Sequence, residues 1–377
     1  MAVIGYCTVT VPAAQVTSGP HAHFPVLIDH NIITDAAFYD ALTGAGGATH
    51  IHCYDTNTDG TEYDREIVVF TDSPDSLELW VRLPSISNAV DNVICVTVET
   101  TSRANDTTTW TTGGYFTVRH YQEASGNSVD STGNYAGTTS GVTYGATGKI
   151  QKGYNFDGSN DNDNLGNITQ ENSVAACTWS GWVKQDIIDA VDIFVIRYVS
   201  ASAQFQANTS SDGSLYAYCG AGANSHINDY SAVVIAGIFF HLAIAYDGTQ
   251  ATNLTKLKIY IDGISRADHF AGTIPATTPD MSTVSRYIGY TSNAWDGIID
   301  EVRGNSNTLS AGWLATEYNN QNTPATFASS ASYSKIIIGT MSIILPDIPI
   351  VDMDGVVVTP SSLSKTDGTK MALGIML

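Results

Sequence analysis

Residues 77–83, Leu77-Glu78-Leu79-Trp80-Val81-Arg82-Leu83, alternate with period two. Leu77, Leu79, Val81 and Leu83 share one side of an extended chain; Glu78, Trp80 and Arg82 share the other. That pattern is a β-strand, and Pro84 is expected to end it. Asn92–Glu99 (NVICVTVE) is a more continuous apolar run, expected as a strand covered on both faces, and residues 24–28 and 66–70 read alike. Further along, Lys256-Leu257-Lys258-Ile259-Tyr260-Ile261 alternates again, and Asp262-Gly263 after it is a type I′ hairpin signal. Only residues 35–42 and 309–318 read as short helices.

Composition extends this reading to the whole chain. Gly 33 and Tyr 19, with abundant Thr, Ser, Asn and Val, describe short strands joined by tight turns, so the expected class is all-β. A length of 377 residues implies two or three domains. Sixteen Lys and Arg against 37 Asp and Glu give a net charge of −21. Nucleic acid and anionic lipid both require a basic face, so neither is an expected partner. With 43% hydrophobic and 14% charged residues the chain is expected to fold. Five cysteines (7, 53, 95, 177 and 219) form no CxxC pair and are expected as buried reduced thiols. Residues 1–12 lack a basic and an apolar leader region, which favours folding in a cytosol. The longest apolar run, residues 336–350, is broken by Gly339, Pro346, Asp347 and Pro349, so membrane insertion is not expected.

Three segments follow. Residues 1–114 are expected as an N-terminal β-sandwich, with the Thr-rich stretch 100–114 read as a linker or long loop. Residues 115–328 form the second domain, entered through a polar bridging segment, 115–153. Residues 329–377 change to Ile-rich, Pro-punctuated sequence, too short for a core of their own. This β extension is expected to pack on the second domain or on a neighbouring chain.

The second domain carries five phrases in order: Phe156-Asp157-Gly158-Ser159-Asn160-Asp161, Cys177-Thr178-Trp179-Ser180-Gly181-Trp182-Val183-Lys184, Phe240-His241-Leu242-Ala243-Ile244-Ala245-Tyr246-Asp247-Gly248, Leu257 to Gly263, and Gly297-Ile298-Ile299-Asp300-Glu301-Val302-Arg303. Together they resemble the LamG-like, concanavalin A-type jelly-roll family, with Phe240 where the family usually has Trp. His23-Phe24-Pro25-Val26-Leu27-Ile28, Leu79 to Ile86 and Asp130-Ser131-Thr132-Gly133-Asn134 are similar to a β-sandwich domain of unknown function that often precedes LamG-like domains. Val118-Arg119-His120-Tyr121 departs from that tandem's usual Trp-His-Leu phrase. The tandem occurs in virion proteins of tailed phages and in bacterial surface proteins. The resemblance implies binding or structure rather than catalysis.

The expected function is therefore a non-enzymatic virion protein of a tailed phage: a decoration, head or neck fibre, or tail-fibre component. It would display a carbohydrate-binding jelly roll on the virion surface after assembly in the host cytoplasm. Expected partners are other virion proteins, copies of itself as an oligomer, and a surface glycan. The alternatives are a bacterial cell-surface adhesin or carbohydrate-binding module and, less favoured, a glycoside hydrolase. Glu62-Tyr63-Asp64-Arg65-Glu66 would put three carboxylates on one strand face, but it lies outside the jelly roll. Flat aromatic rings suit the apolar faces of sugars, and Tyr216, Tyr218, Tyr230, Tyr290 and Trp295 are the candidate contacts. No cofactor is required; structural calcium is the candidate metal. Asp55-x-Asn57-x-Asp59-Gly60 with Glu66 fits a calcium loop, and an Asx-rich hairpin turn fits it equally. For Asp157 and Asp300, in the phrases that bracket the jelly roll, the resemblance implies a second calcium site. The paired histidines His21/His23 and His50/His52 are read as surface or core residues.

Overall fold

The computed structural model describes residues 2–56, 58, 60–188, 191–220, 226–229, 234–266 and 269–336, and the backbone of 350–351 and 357–358. The N-terminal sandwich holds β1 (Val3–Val11), β2 (His21–Asp29), α1 (Ala36–Ala45), β3 (Ile51–Tyr54), β4 (Arg65–Asp72), β5 (Asp75–Ile86), β6 (Asn92–Glu99) and α2 (Thr108–Thr111). The second contains β7 (Tyr115–Arg119), β8 (Thr138–Ser140), β9 (Thr143–Thr147), β10 (Lys152–Asp157), β11 (Asn162–Asn164), β12 (Ala176–Gln185), β13 (Ile193–Ser200), β14 (Ala203–Thr209), β15 (Leu215–Cys219) and β16 (His226–Asp229). It continues through β17 (Phe240–Asp247), α3 (Asn253–Lys256), β18 (Leu257–Ile261), β19 (Ile264–Ser265), β20 (His269–Ala271), β21 (Tyr287–Gly289) and β22 (Asp296–Asn305). After it come α4 (Ala311–Asn322), α5 (Pro324–Phe327), β23 (Ser329–Ser330) and β24 (Ser334–Lys335). In the separate unit 337–377, β25 (Ile350–Val351) pairs antiparallel with β26 (Val357–Val358).

The fold is mostly β, and its sheets are antiparallel. In the first sandwich, the order β23-β1-β6-β3, with β24 also on β1, faces the three strands β2-β5-β4. In the second, β19-β18-β17-β12-β22-β10-β9, with β7 also on β22, faces β20-β16-β15-β14-β13-β21-β11-β8. All five cysteines are buried and free. The hairpin β18–β19 turns through Asp262 (φ 52°) and Gly263 (φ 74°), the two positive values that a type I′ turn requires.

Three expectations change. Pro84 does not end β5, which runs to Ile86; the register sets Pro84 opposite His23, where the ladder to β2 is interrupted and His23 takes a φ of 57°. Residues 100–114 are not a loose linker. Trp110 of α2 is fully buried against Trp80, and Arg103 pairs with Glu62 and Asp106, each at 2.6 Å. Residues 329–335 add to β1 of the first sandwich, not to the second domain.

The hinge of the architecture is α4. Ser310 caps it, its hydroxyl accepting from the Trp313 N–H at 3.1 Å. On one side, the Asn320 side chain accepts from the Leu27 N–H (3.1 Å) and donates to the Pro25 carbonyl (3.1 Å) of β2. On another, Glu317 accepts from Arg303 of β22 (3.0 Å), and Gln321 accepts from the Trp182 indole of β12 (2.6 Å). The helix is wedged between the sandwiches, so its buried face is largely polar: Thr316, Glu317, Asn320 and Gln321. Trp313, Leu314 and Phe327 join the first core, together with Ala243, Ala245 and Tyr260 of β17 and β18.

Candidate functional site

Alternation along β14 and β15 sends Phe205, Ala207, Leu215, Ala217 and Cys219 into the second core. The intervening residues Gln206, Tyr216 and Tyr218 therefore lie on the other side and are partly exposed, while Asn208, on that same side, is buried and donates to the Thr209 carbonyl at 2.8 Å. Strand register lines them up into rows across the sheet. One row reads Tyr287, Ile196, Gln206, Tyr218, His226. The next reads Asn208, Tyr216, Asn228, His269. Tyr198, 43% exposed, stands opposite Gln204 in a third.

The Tyr216 and Tyr218 rings lie nearly parallel, 6.1 Å apart at 19°, and His226 sits 5.4 Å from the first and 5.0 Å from the second. The Gln206 side-chain nitrogen donates to Asn208 Oδ1 at 3.1 Å. The Asn228 amide nitrogen, on a residue only 1% exposed, has no hydrogen-bond partner among the described residues. Beside these rows a cleft of about 320 Å³ is lined by Tyr198, Ser285, Tyr287 and Tyr290, and the last two rings meet edge-on at 5.3 Å. Apart from the buried Ile196, these rows consist of phenols, amides and imidazoles, with no carboxylate, Lys or Arg among the residues named. Three strand spacings separate Tyr287 from Tyr218, roughly 14 Å.

Of the candidate sugar contacts, Tyr216 and Tyr218 share this face and Tyr290 lines its adjoining cleft. Trp295 does not belong: it is fully buried in the core and donates to the Lys184 carbonyl at 3.2 Å. Tyr230 lies outside the described residues, as do Asn57 and Asp59. The sequence reading passed over Tyr198, Tyr287, Gln206 and Asn208. Their signal was present in the polar alternation Gln204-Phe205-Gln206-Ala207-Asn208.

The calcium candidates Asp157 and Asp300 are not brought together. Asp157 pairs across the ladder with Asp296, and Asp300 lies four residues further along β22, roughly 13 Å away. Asp157 caps a turn by accepting from the Ser159 N–H (2.9 Å), while Asp300 is fully buried and accepts from the Ile150 N–H (2.9 Å). Asp55 accepts from the Thr61 N–H at 3.2 Å, as a turn residue does. Glu66, the last ligand that the loop pattern needs, is committed elsewhere: it accepts from the Trp110 indole (2.5 Å) and the Ser131 hydroxyl (2.7 Å).

That commitment leads to a second cluster, at the junction of the sandwiches. β22 is flanked on one side by β12 and on the other by β10 and then β7, and Asp300 and Glu301 fall in the gap between those two. Here the register against β12 slips, and Glu301 takes a φ of 52°. This bulge turns the Glu301 carboxylate toward His120, at 2.6 Å. Arg303 pairs with Glu301 (2.7 Å) and lies over the Trp80 ring, 4.3 Å from its centroid. Burial, and then Glu301, push the Glu78 carboxyl well above its ordinary range, and Asp300 is raised by the same causes. Glu78 alternates with apolar residues as if it faced solvent, yet it is fully buried, because the second sandwich covers that side of β5.

Residues 157–333 match the family described as the Concanavalin A-like lectin/glucanases superfamily. This segment is a concanavalin A-like domain. Among solved structures, the chain is similar to domain 4 of AbnA, a GH43 extracellular arabinanase from Geobacillus stearothermophilus, in complex with arabinotriose. The identity is 20% over 53% of this chain and 96% of that one, with a TM-score of 0.41. It is also similar to Trypanosoma rangeli sialidase in complex with sialic acid, at 11% identity over 72% of this chain and 44% of that one, TM-score 0.44. A third is the receptor binding domain of botulinum neurotoxin C/D mosaic serotype, at 12% identity over 55% and 51% of the two chains, TM-score 0.40. The chain thus spans less than half the length of the sialidase. A comparison with curated proteins gives no match. The aromatic and amide rows described above belong to the concanavalin A-like domain.

Proposed function

We propose that this protein attaches to surfaces by holding a neutral glycan on the outer face of β13–β16 and β21. The carrying observation is the row that sets the part-exposed Tyr218 and Tyr287 in line with Gln206, with Tyr216 beside Tyr218. Phenol faces match the apolar faces of pyranose rings, and side-chain amides both donate to and accept from sugar hydroxyls. The uncharged rows favour a neutral ligand, and without a pair of acids there they favour binding over hydrolysis. The particle we assign is a tailed-phage virion, on whose surface many copies would strengthen a weak single contact. The buried free thiols and the acidic charge fit assembly in a host cytoplasm.

The test is a neutral-oligosaccharide array, followed by titration calorimetry. Tyr218→Ala should weaken binding of the array hit by about 2–10-fold, from the ~0.5–1.5 kcal/mol that an aromatic contact contributes. Unchanged affinity in Tyr218→Ala and Tyr287→Ala would move the site elsewhere. Immunogold labelling of phage particles tests the virion assignment, and label confined to a bacterial envelope would replace it with an adhesin.

A further inference from the structure

The junction cluster contains a donor set that its protein partners do not satisfy. Glu78 of β5, His120 just beyond β7 and Glu301 of β22 each offer one ligand atom, all within 4.8 Å of one another and all buried. His120 Nδ1 lies 2.6 Å from Glu301 Oε1 and 3.3 Å from Glu78 Oε1. One ring nitrogen carries at most one proton, so Nδ1 can serve only one of the two carboxylates. Glu78 Oε1 receives the Trp80 indole at 3.1 Å, but Glu78 Oε2 has no partner at all among the described residues. Arg303 does not relieve this, because its two terminal nitrogens go to Glu301 Oε2 and Glu317. Among the described residues, the ion-pair partners of the four carboxyl groups Glu66, Glu78, Glu301 and Glu317 are Arg303 and the His120 imidazole.

We propose that Glu78, His120 and Glu301 form a binding site for one divalent transition ion of the zinc class. Such an ion replaces the contested Nδ1 proton, takes the unpartnered Glu78 carboxylate and reduces the excess negative charge. The other face of the ring is already arranged for it. His120 Nε2 lies 3.4 Å from Glu66 Oε2, and the Trp110 indole and the Ser131 hydroxyl hold that carboxylate in place. A carboxylate behind the far ring nitrogen is the usual support of a metal-bound histidine, since it fixes the tautomer and orients the ring. One imidazole with two carboxylates suits zinc better than calcium, which requires six to eight oxygens. Spreading the donors from a hydrogen-bonded 2.6 Å to metal-ligand separations takes a shift of under about 1 Å. A cleft of about 290 Å³, lined by Glu66, His120, Glu123 and Ser131, brings solvent as far as the Glu66 side of the imidazole. The ligands come from both sandwiches, so the ion acts as a clamp between them, and its binding adds to folding stability.

The experiment uses the full chain, stripped with EDTA and dialysed against zinc chloride, manganese chloride or calcium chloride. Expected are one zinc per chain by native mass spectrometry and a melting temperature raised by several degrees, with no such rise in calcium. Glu78→Gln and His120→Ala should each abolish the bound zinc and the shift, while Tyr218→Ala keeps both. Should His120→Ala fail to fold, Glu78→Gln, which preserves shape, carries the test alone. Two results overturn the proposal: no zinc bound at micromolar concentration, or equal binding by wild type and Glu78→Gln. The first leaves a junction held by shared protons, in which Glu78→Gln costs no stability. The second places the zinc at another part of the surface.

Discussion

Glu171 of the second sandwich is buried among groups that need its charge. It accepts from Arg286 Nη2 (2.5 Å) and Nε (3.1 Å) and from the Trp179 indole (2.6 Å). Arg286 lies over the Trp179 ring, 5.0 Å from its centroid, and is itself fully buried. Glu171→Gln leaves that guanidinium without a counter-charge and should cost about 3–5 kcal/mol in urea unfolding. Arg286→Lys should also lose stability, because an ammonium cannot reproduce the two-pronged contact. His241 shows the opposite case. Burial, and then the positive charge of Arg303, lower its pKa to about 3. The unfolded chain takes up a proton near pH 6.5 and the folded one does not, so stability is full above that pH and falls as pH drops toward 3. Between pH 6.5 and 5 the loss from this group is about 2 kcal/mol. His120, whose pKa, against its burial, Glu301 and Glu66 hold well above its ordinary value, works in the opposite sense, so the check is the comparison of wild type with His241→Phe: between pH 7 and 5 the wild type should lose about 2 kcal/mol relative to the variant. At this scale, Tyr216 and Tyr218 were legible because period two puts them on one face. The buried Glu78 was not: a polar residue in an alternating strand looks the same whether water or a second domain covers it.

Among the elements, the hairpin between β18 and β19 and the helix α4 are tied together. A Cβ at Gly263 would lie 2.6 Å from the Ala315 Cα of α4, and the φ of 74° already disfavours any other residue. Gly263→Ala should therefore cost at least ~1–2 kcal/mol from the backbone conformation alone. The check is the melting temperature beside that of Lys258→Ala on the same hairpin, which should change little. The hairpin was readable from Asp262-Gly263, since turn chemistry is local. The span of α4 was harder to read, because a helix between two sandwiches buries Thr316, Glu317, Asn320 and Gln321 and loses its apolar stripe. Residues 100–114 misled for a related reason. Threonines dominate the stretch, and the few residues that anchor it, Arg103, Asp106 and Trp110, find their partners in β4, β5 and the segment just before β4.

Over the whole molecule, the two sandwiches were legible from their strand phrases, while their dependence on each other was not. The first core includes Trp313, Leu314, Phe327 and Ala328, which the sequence assigns to the second domain. A fragment ending at residue 114 should therefore bind a hydrophobic dye and lack cooperative unfolding, whereas a fragment ending at residue 336 should unfold as one unit. Chemical denaturation with dye fluorescence distinguishes these outcomes. The pairing of β23 and β24 with β1 also imposes an order of events during synthesis. A ribosome adding about 5–20 residues per second needs roughly 15–65 s to travel from β1 to β23. Through that interval β1 keeps one edge bare, and Phe24 waits for Trp313 of α4, whose ring lies 5.0 Å away in the folded protein. A strand made more than 300 residues before its partners is thus finished only when they arrive, and every message cut short between β6 and residue 329 yields a chain with an open, adhesive edge.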